Sequence, residues 1–257
     1  MNQIKSFALA SLALAASSAF AAPVGTITYG GSVTPDVIFG TGGNQNGNFT
    51  ISRVDTTGLE LGLRARVRFQ TETMDQGNGT YGAFATSSGP LALWNFDWTV
   101  NSSYNGSGMN LASTGLTYLL GIDFDPAVGN AAMSILNLST VCTDSQFGNN
   151  GTGSNAGAKA ICSSPGSYGG LMANNNVMQN SGNLGWFALP FGKTFDASAP
   201  GEYTFFLRAV NANGTIVGET DITVNVGGTI PEPASLALVS LALVGLGVTS
   251  RRRRTER

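Results

Sequence analysis

Apolar and polar residues alternate with a period of two along much of the chain. In the longest run Leu59, Leu61, Leu63, Ala65, Val67, Phe69 and Thr71 fall on one side. Glu60, Gly62, Arg64, Arg66, Arg68, Gln70 and Glu72 fall on the other. Successive side chains of a strand point to opposite faces, so Leu59 to Thr73 is predicted as a long antiparallel strand, buried on one face only. Three arginines on the polar side suggest an anion site. With Glu60 and Glu72 among them, the expectation is a solvated face of offset charges. A second strand is predicted at Leu93 to Val100, with Trp94, Phe96, Trp98 and Val100 opposite Asn95, Asp97 and Thr99. A third, Leu116 to Phe124, stops at the turn signal Asp125-Pro126. Thr26 to Tyr29, Phe49 to Val54, Trp186 to Leu189, Tyr203 to Val210 and Thr215 to Val226 read as further strands. The last two form a hairpin through Asn211-Ala212-Asn213-Gly214. No segment between the two ends of the chain shows a helical period with caps. Many strands joined by Gly/Asn turns predict an all-β fold, an antiparallel β-sandwich of jelly-roll type.

The two ends break this pattern. Met1 to Ala21 has a basic start at Lys5, an apolar stretch from Phe7 to Ala16 and small residues flanking Phe20, the layout of a secretory signal peptide cut by signal peptidase. At the other end a linker, 227–233, carries Pro231-Glu232-Pro233. An uncharged apolar stretch, 234–250, follows and then Arg251, Arg252, Arg253 and Arg254. That stretch is predicted as a single transmembrane helix. At about 1.5 Å per residue it falls slightly short of a hydrocarbon core of about 30 Å, and snorkelling arginines make up the difference. The positive-inside rule puts the basic tail, 251–257, in the cytoplasm and the body, 22–226, across the inner membrane.

Composition sharpens the picture of that body. The 257 residues include 35 Gly and no His, and only 11% are charged. An average soluble protein has about 25% charged residues and about 7% Gly. The whole chain has a formal charge of −2, but once the ends are removed the body keeps seven Lys and Arg against thirteen Asp and Glu, a net −6. This excludes a nucleic-acid partner, which requires clustered cations. Lack of His removes His-based general base catalysis and most zinc chemistry. None of the Gly-rich stretches, including Gly40 to Gly47 and Gly148 to Gly157, has the spacing of a nucleotide loop, so no cofactor is implied.

The tail resembles the PEP-CTERM sorting signal of exported proteins in Gram-negative bacteria, a segment that also circulates under an ice-binding C-terminal label. The resemblance rests on Pro231, Glu232 and Pro233, the single apolar helix and the arginines 251–254, in that order. It implies recognition by an exosortase, a membrane transpeptidase-like enzyme, with the membrane anchor transient. It also implies an exopolysaccharide-producing or biofilm-forming host. The run LWNFDWTVN…GLTYLLGIDFDP is similar to a motif in a family of uncharacterised PEP-CTERM proteins, which implies no activity.

Four sets of residues are candidates for chemistry. Cys142 and Cys162 suit one disulfide in an exported protein, closing a Gly-rich loop. Trp94 and Trp98 read either as a stacking platform for sugar rings or as a core stripe facing a second sheet. Asp97, Asp123 and Asp125 raise a calcium hypothesis, against a plain role as turn residues. Seven Asn-x-Ser/Thr sequons, at Asn48, Asn78, Asn101, Asn105, Asn137, Asn150 and Asn213, permit glycosylation. No spacing selects a catalytic carboxylate pair and no Gly-x-Ser-x-Gly elbow occurs, so the expectation is a protein without enzymatic activity. The reading is an exosortase-processed surface or matrix protein, structural or adhesive in a biofilm or exopolysaccharide layer. A carbohydrate-binding module and, behind it, a glycoside hydrolase are the alternatives.

Overall fold

The computed structural model describes residues 24–40, 44–70, 74–130 and 133–227. The signal peptide, the Pro231-Glu232-Pro233 motif, the apolar stretch 234–250 and Arg251 to Arg254 lie outside the described residues, as do Thr71 and Glu72. Strands β1 (Thr26–Gly31), β2 (Phe49–Val54), β3 (Leu59–Val67), β4 (Asp75–Gly77) and β5 (Thr80–Ala83) come first. A short hairpin, β6 (Ser87–Ser88) and β7 (Leu91–Ala92), leads into β8 (Trp94–Asn101). After a 3-10 turn at Leu111–Thr114 come β9 (Thr117–Ile122), β10 (Ser134–Asn137), β11 (Gln146–Gly148) and β12 (Ala158–Lys159). Helix α1 (Pro165–Asn174), β13 (Val177–Gly182), α2 (Leu184–Ala188), β14 (Gly201–Val210) and β15 (Ile216–Val226) complete the body. Among the described residues no helix is long and apolar enough to cross a membrane.

Two sheets carry the fold. A seven-stranded sheet has the order β1-β2-β3-β8-β13-β11-β12, and a six-stranded sheet the order β10-β9-β14-β15-β5-β4. All pairings are antiparallel except β5 with β15. The all-β expectation therefore stands, but the jelly-roll arrangement does not form: β1 to β3 run as a simple meander and β5 joins its sheet in parallel. The Trp186 to Leu189 segment is not a strand. It lies in and just beyond α2, which Asn183 caps by accepting the Gly185 N–H. The expectation of no helix is also overturned by α1, which starts at Pro165, where a missing N–H costs nothing.

The alternation along β3 and β8 survives, with a change of meaning. Pairing sets Leu63 beside Trp98 and Ala65 beside Phe96. Those side chains face the six-stranded sheet, where Phe96 stacks on Phe205 with ring centroids 4.4 Å apart and Trp94 meets Tyr203 at 5.9 Å. The polar face, expected in water, is buried as well: Glu60 and Asp97 are fully buried and Arg64 is 2% exposed. Loop residues 32–40, 44–48 and 149–157 cover it. Val33, Val37 and Phe39 pack on Phe49 and Ile51 in a small second core. The Ile38 N–H donates to Gln179 Oε1, and Asn155 N–H to the Val37 carbonyl. Gly62 makes the close approach possible: a Cβ there would stand 2.9 Å from Val33 Cγ1 and 2.6 Å from Thr99 Cγ2.

Candidate functional site

Both tryptophans proposed for sugar stacking are core residues. Trp94 is 3% exposed and Trp98 fully buried, because their strand positions face the second sheet. The calcium trio does not assemble either. Asp97 Oδ2 accepts from Nε of both Arg64 and Arg66, each at 2.8 Å, on the outer face of the seven-stranded sheet. Asp123 and Asp125 sit past the end of β9, where each carboxylate accepts the backbone N–H two residues on, that of Asp125 and of Ala127. These are Asx turns. Burial, helped by the charges of Asp125 and Glu202, pushes the Asp123 carboxyl above its usual range. Among the described residues no group of three His, Cys, Asp or Glu is placed to hold a metal ion. The sequons at Asn101, Asn105 and Asn137 likewise form Asx turns, accepting from Ser103, Ser107 and Ser139. Asn101 is also fully buried, with its amide donating to the Thr34 carbonyl.

Cys142 and Cys162 are joined, with Cα atoms 5.5 Å apart. Closing the loop between them contributes about 3 kcal/mol in the chain-entropy picture. The bond also stands on the rim of the cleft described next.

That cleft arises from an unequal sheet. β11 pairs with β13 only at Val177, Met178 and Gln179. Asn180 to Gly182 continue β13 along β8 without β11 beside them. The opening is a cleft of about 1060 Å³. Its floor is polar and fixed. The Asn95 amide donates to Ser181 Oγ at 2.9 Å, and Asn183 donates to Asn95 Oδ1 at 2.9 Å. Arg66, held by Asp97, reaches the Gln70 carbonyl and Ser181 Oγ. Asp97 balances one of its two arginines, so this buried cluster keeps a net positive charge.

The walls are aromatic. α2 presents Trp186, which is 49% exposed, and the chain beyond β3 presents Phe69, which is 85% exposed. The Arg68 guanidinium lies over both rings, 4.5 Å from the Phe69 centroid and 5.2 Å from that of Trp186. Among the described residues Arg68 has no carboxylate partner, and its buried Nε has no hydrogen-bond acceptor. Phe69 adopts φ 62°, a left-handed conformation rare for a bulky residue. On the rim Lys159 pairs with Asp144 at 3.7 Å.

The arginine run was visible in the sequence as a possible anion site. Trp186 was missed as a wall residue because its segment read as a strand; the available signal was Asn183, a helix-capping residue type standing just before an apolar run.

Neither the curated proteins nor the solved structures contain a match to this chain. Residues 229–254, about a tenth of the chain, match the PEP-CTERM protein-sorting motif. The match begins two residues after the last described residue, Gly227, and spans Pro231-Glu232-Pro233 and Arg251 to Arg254. The chain thus carries a PEP-CTERM sorting motif behind an all-β body, and that motif implies processing by an exosortase.

Proposed function

We propose that this protein is exported across the inner membrane, held briefly by its C-terminal segment, cut by an exosortase and left at the cell surface or in the extracellular matrix. Its body has a structural or adhesive role there, without enzymatic activity, in an exopolysaccharide or biofilm layer. The observation that carries this is the sorting motif at 229–254, attached by a short linker to the end of β15. Signal peptidase removes Met1 to Ala21 in the same scheme. The test is deletion of the exosortase in the producing cell. The expected result is a larger protein retained with the membrane fraction; unchanged size and fractionation overturn the reading.

A second reading, carbohydrate binding, is favoured by the cleft, which combines two exposed aromatic rings with amide, hydroxyl and guanidinium groups. Its stacking residues are Trp186 and Phe69 rather than Trp94 and Trp98. A glycoside hydrolase is supported less: it requires two opposed carboxylates, and the described lining of the cleft offers Asp144 alone, paired with Lys159.

A further inference from the structure

We propose that the cleft beside β13 binds a segment of carboxylated polysaccharide, a chain containing uronate units. This rests on the carbohydrate-binding reading and adds the ligand class and the residues that select it.

Charge is the first argument. The body holds seven cations and a net −6, yet three of those cations, Arg66, Arg68 and Lys159, line this one cleft with, among the described residues, a single carboxylate, Asp144. An acidic protein that gathers its scarce cations in one concavity creates a local attraction opposite in sign to its overall field. Asp97 already occupies Arg66, so Arg66 fixes the positive floor. Arg68 is the group left to meet a ligand anion. Its fork of donors matches the planar geometry of a carboxylate, and among the described residues no carboxylate pairs with it.

Shape and surface are the second. A volume of about 1060 Å³ stands at the upper end of small-molecule sites, which run from about 300 to 1,000 Å³, and suits several units of a polymer. Phe69 and Trp186 flank Arg68, so ring faces and charge alternate along the wall. A uronate chain presents the same alternation, with apolar C–H faces of the sugar ring beside its carboxylates. Asn95, Asn180 and Ser181 supply hydrogen-bonding groups for hydroxyls. The left-handed backbone at Phe69 and the nearly full exposure of its ring are both costs to the folded protein. Strain of this kind persists where the surroundings enforce it and collects at binding sites.

The experiment is isothermal titration calorimetry of the purified full-length chain in detergent micelles. The probes are oligogalacturonate, a neutral dextran oligomer of equal length and poly-glutamate. Oligogalacturonate is expected to bind at least about tenfold more tightly than either of the others, and less tightly as salt rises. Arg68→Gln should erase the preference over dextran while leaving the melting temperature within a few degrees. Phe69→Ala removes an exposed ring and should weaken oligogalacturonate binding about tenfold without touching the core. Equal binding of oligogalacturonate and dextran, unchanged in Arg68→Gln, overturns the anionic selectivity and leaves carbohydrate binding standing. No binding of either sugar overturns the carbohydrate reading itself. Poly-glutamate binding as tightly as the uronate overturns the sugar class.

Discussion

On one side of the seven-stranded sheet, Trp94, Phe96 and Trp98 meet Tyr203, Phe205 and Phe187 in a dry aromatic layer. On the other side of the same strands, Glu60, Arg64, Asp97 and Thr99 are as inaccessible to water, each 2% exposed or less. The inner face is closed by another sheet and held by shape and apolar area. The outer face is closed by loops and held by named partners: Arg53 and the Thr34 N–H on Glu60, and Arg64 donating to the Gln45 and Gly47 carbonyls. Burial alone does not distinguish the two faces; what distinguishes them is whether a lost group can be replaced by volume.

Substitutions at neighbouring positions of β8 test this difference most severely. Asp97→Ala strips the counter-charge from two buried arginines and is expected to cost about 3–5 kcal/mol in urea denaturation. Phe96→Ala should cost a similar amount, about 3–5 kcal/mol, through the cavity it leaves. The leucine variants then separate the faces. Phe96→Leu recovers roughly half of the loss by refilling space, whereas Asp97→Leu remains as damaging as the alanine. Equal rescue at both positions would erase the distinction.

A smaller effect comes from pH. Burial pushes the Glu60 carboxyl above its usual 4.5, outweighing the Thr34 N–H and Arg53 that favour its charge. Asp221, raised by burial and the charge of Glu219, shifts in the same direction. A carboxyl raised in the folded state binds its proton more tightly there than in the unfolded chain. Stability from it is therefore complete below about pH 4.5 and is lost as pH climbs through the raised value. Glu60→Gln should flatten that part of a melting-temperature profile, measured upward from pH 4.5. A steeper profile in the variant would show that the Arg53 pair outweighs desolvation.

The smallest effect is the most specific. Among the described residues the buried Thr99 hydroxyl has no hydrogen-bond partner, although it lies on the polar face. Thr99→Val keeps the shape and removes the orphan, so stability should hold or rise by up to about 1 kcal/mol. A clear loss would mean that the hydroxyl has a partner in solution.

Period-two alternation located β3, β8, β9, β14 and β15, because each half-turn of a strand writes its inner face directly into neighbouring residues. It misassigned the other face, which the same alternation placed in water. What covers Asp97 and Thr99 comes from the loops around Val37 and Ser154, whose contact spans 117 positions in the chain. Polar residues there read as solvent-facing because the only cue to a cover is a Gly/Asn-rich loop, which looks the same whether it lies on the body or projects from it. The cleft was hidden for the same reason. Arg68, Asn95 and the nearby pair Ser181 and Trp186 come from three separate stretches, and only the early end of β11 brings a gap beside them. Cys142 and Cys162 were legible because two cysteines in a chain read as exported leave one pairing.

The position of β15 has a consequence for how the molecule is made. It lies between β14 and β5, so Tyr81 and its neighbours wait for Val224, far downstream, before they gain their parallel partner. Synthesis proceeds from the N-terminus, so the six-stranded sheet has a missing middle until almost the whole body has emerged. The next residues to appear are those of the sorting motif. A chain cut short before Ile216 therefore loses the strand that completes the sheet and the address that follows it together. In the proposed scheme unfinished copies lack the tag, which makes chain completion a built-in check on what reaches the sorting enzyme.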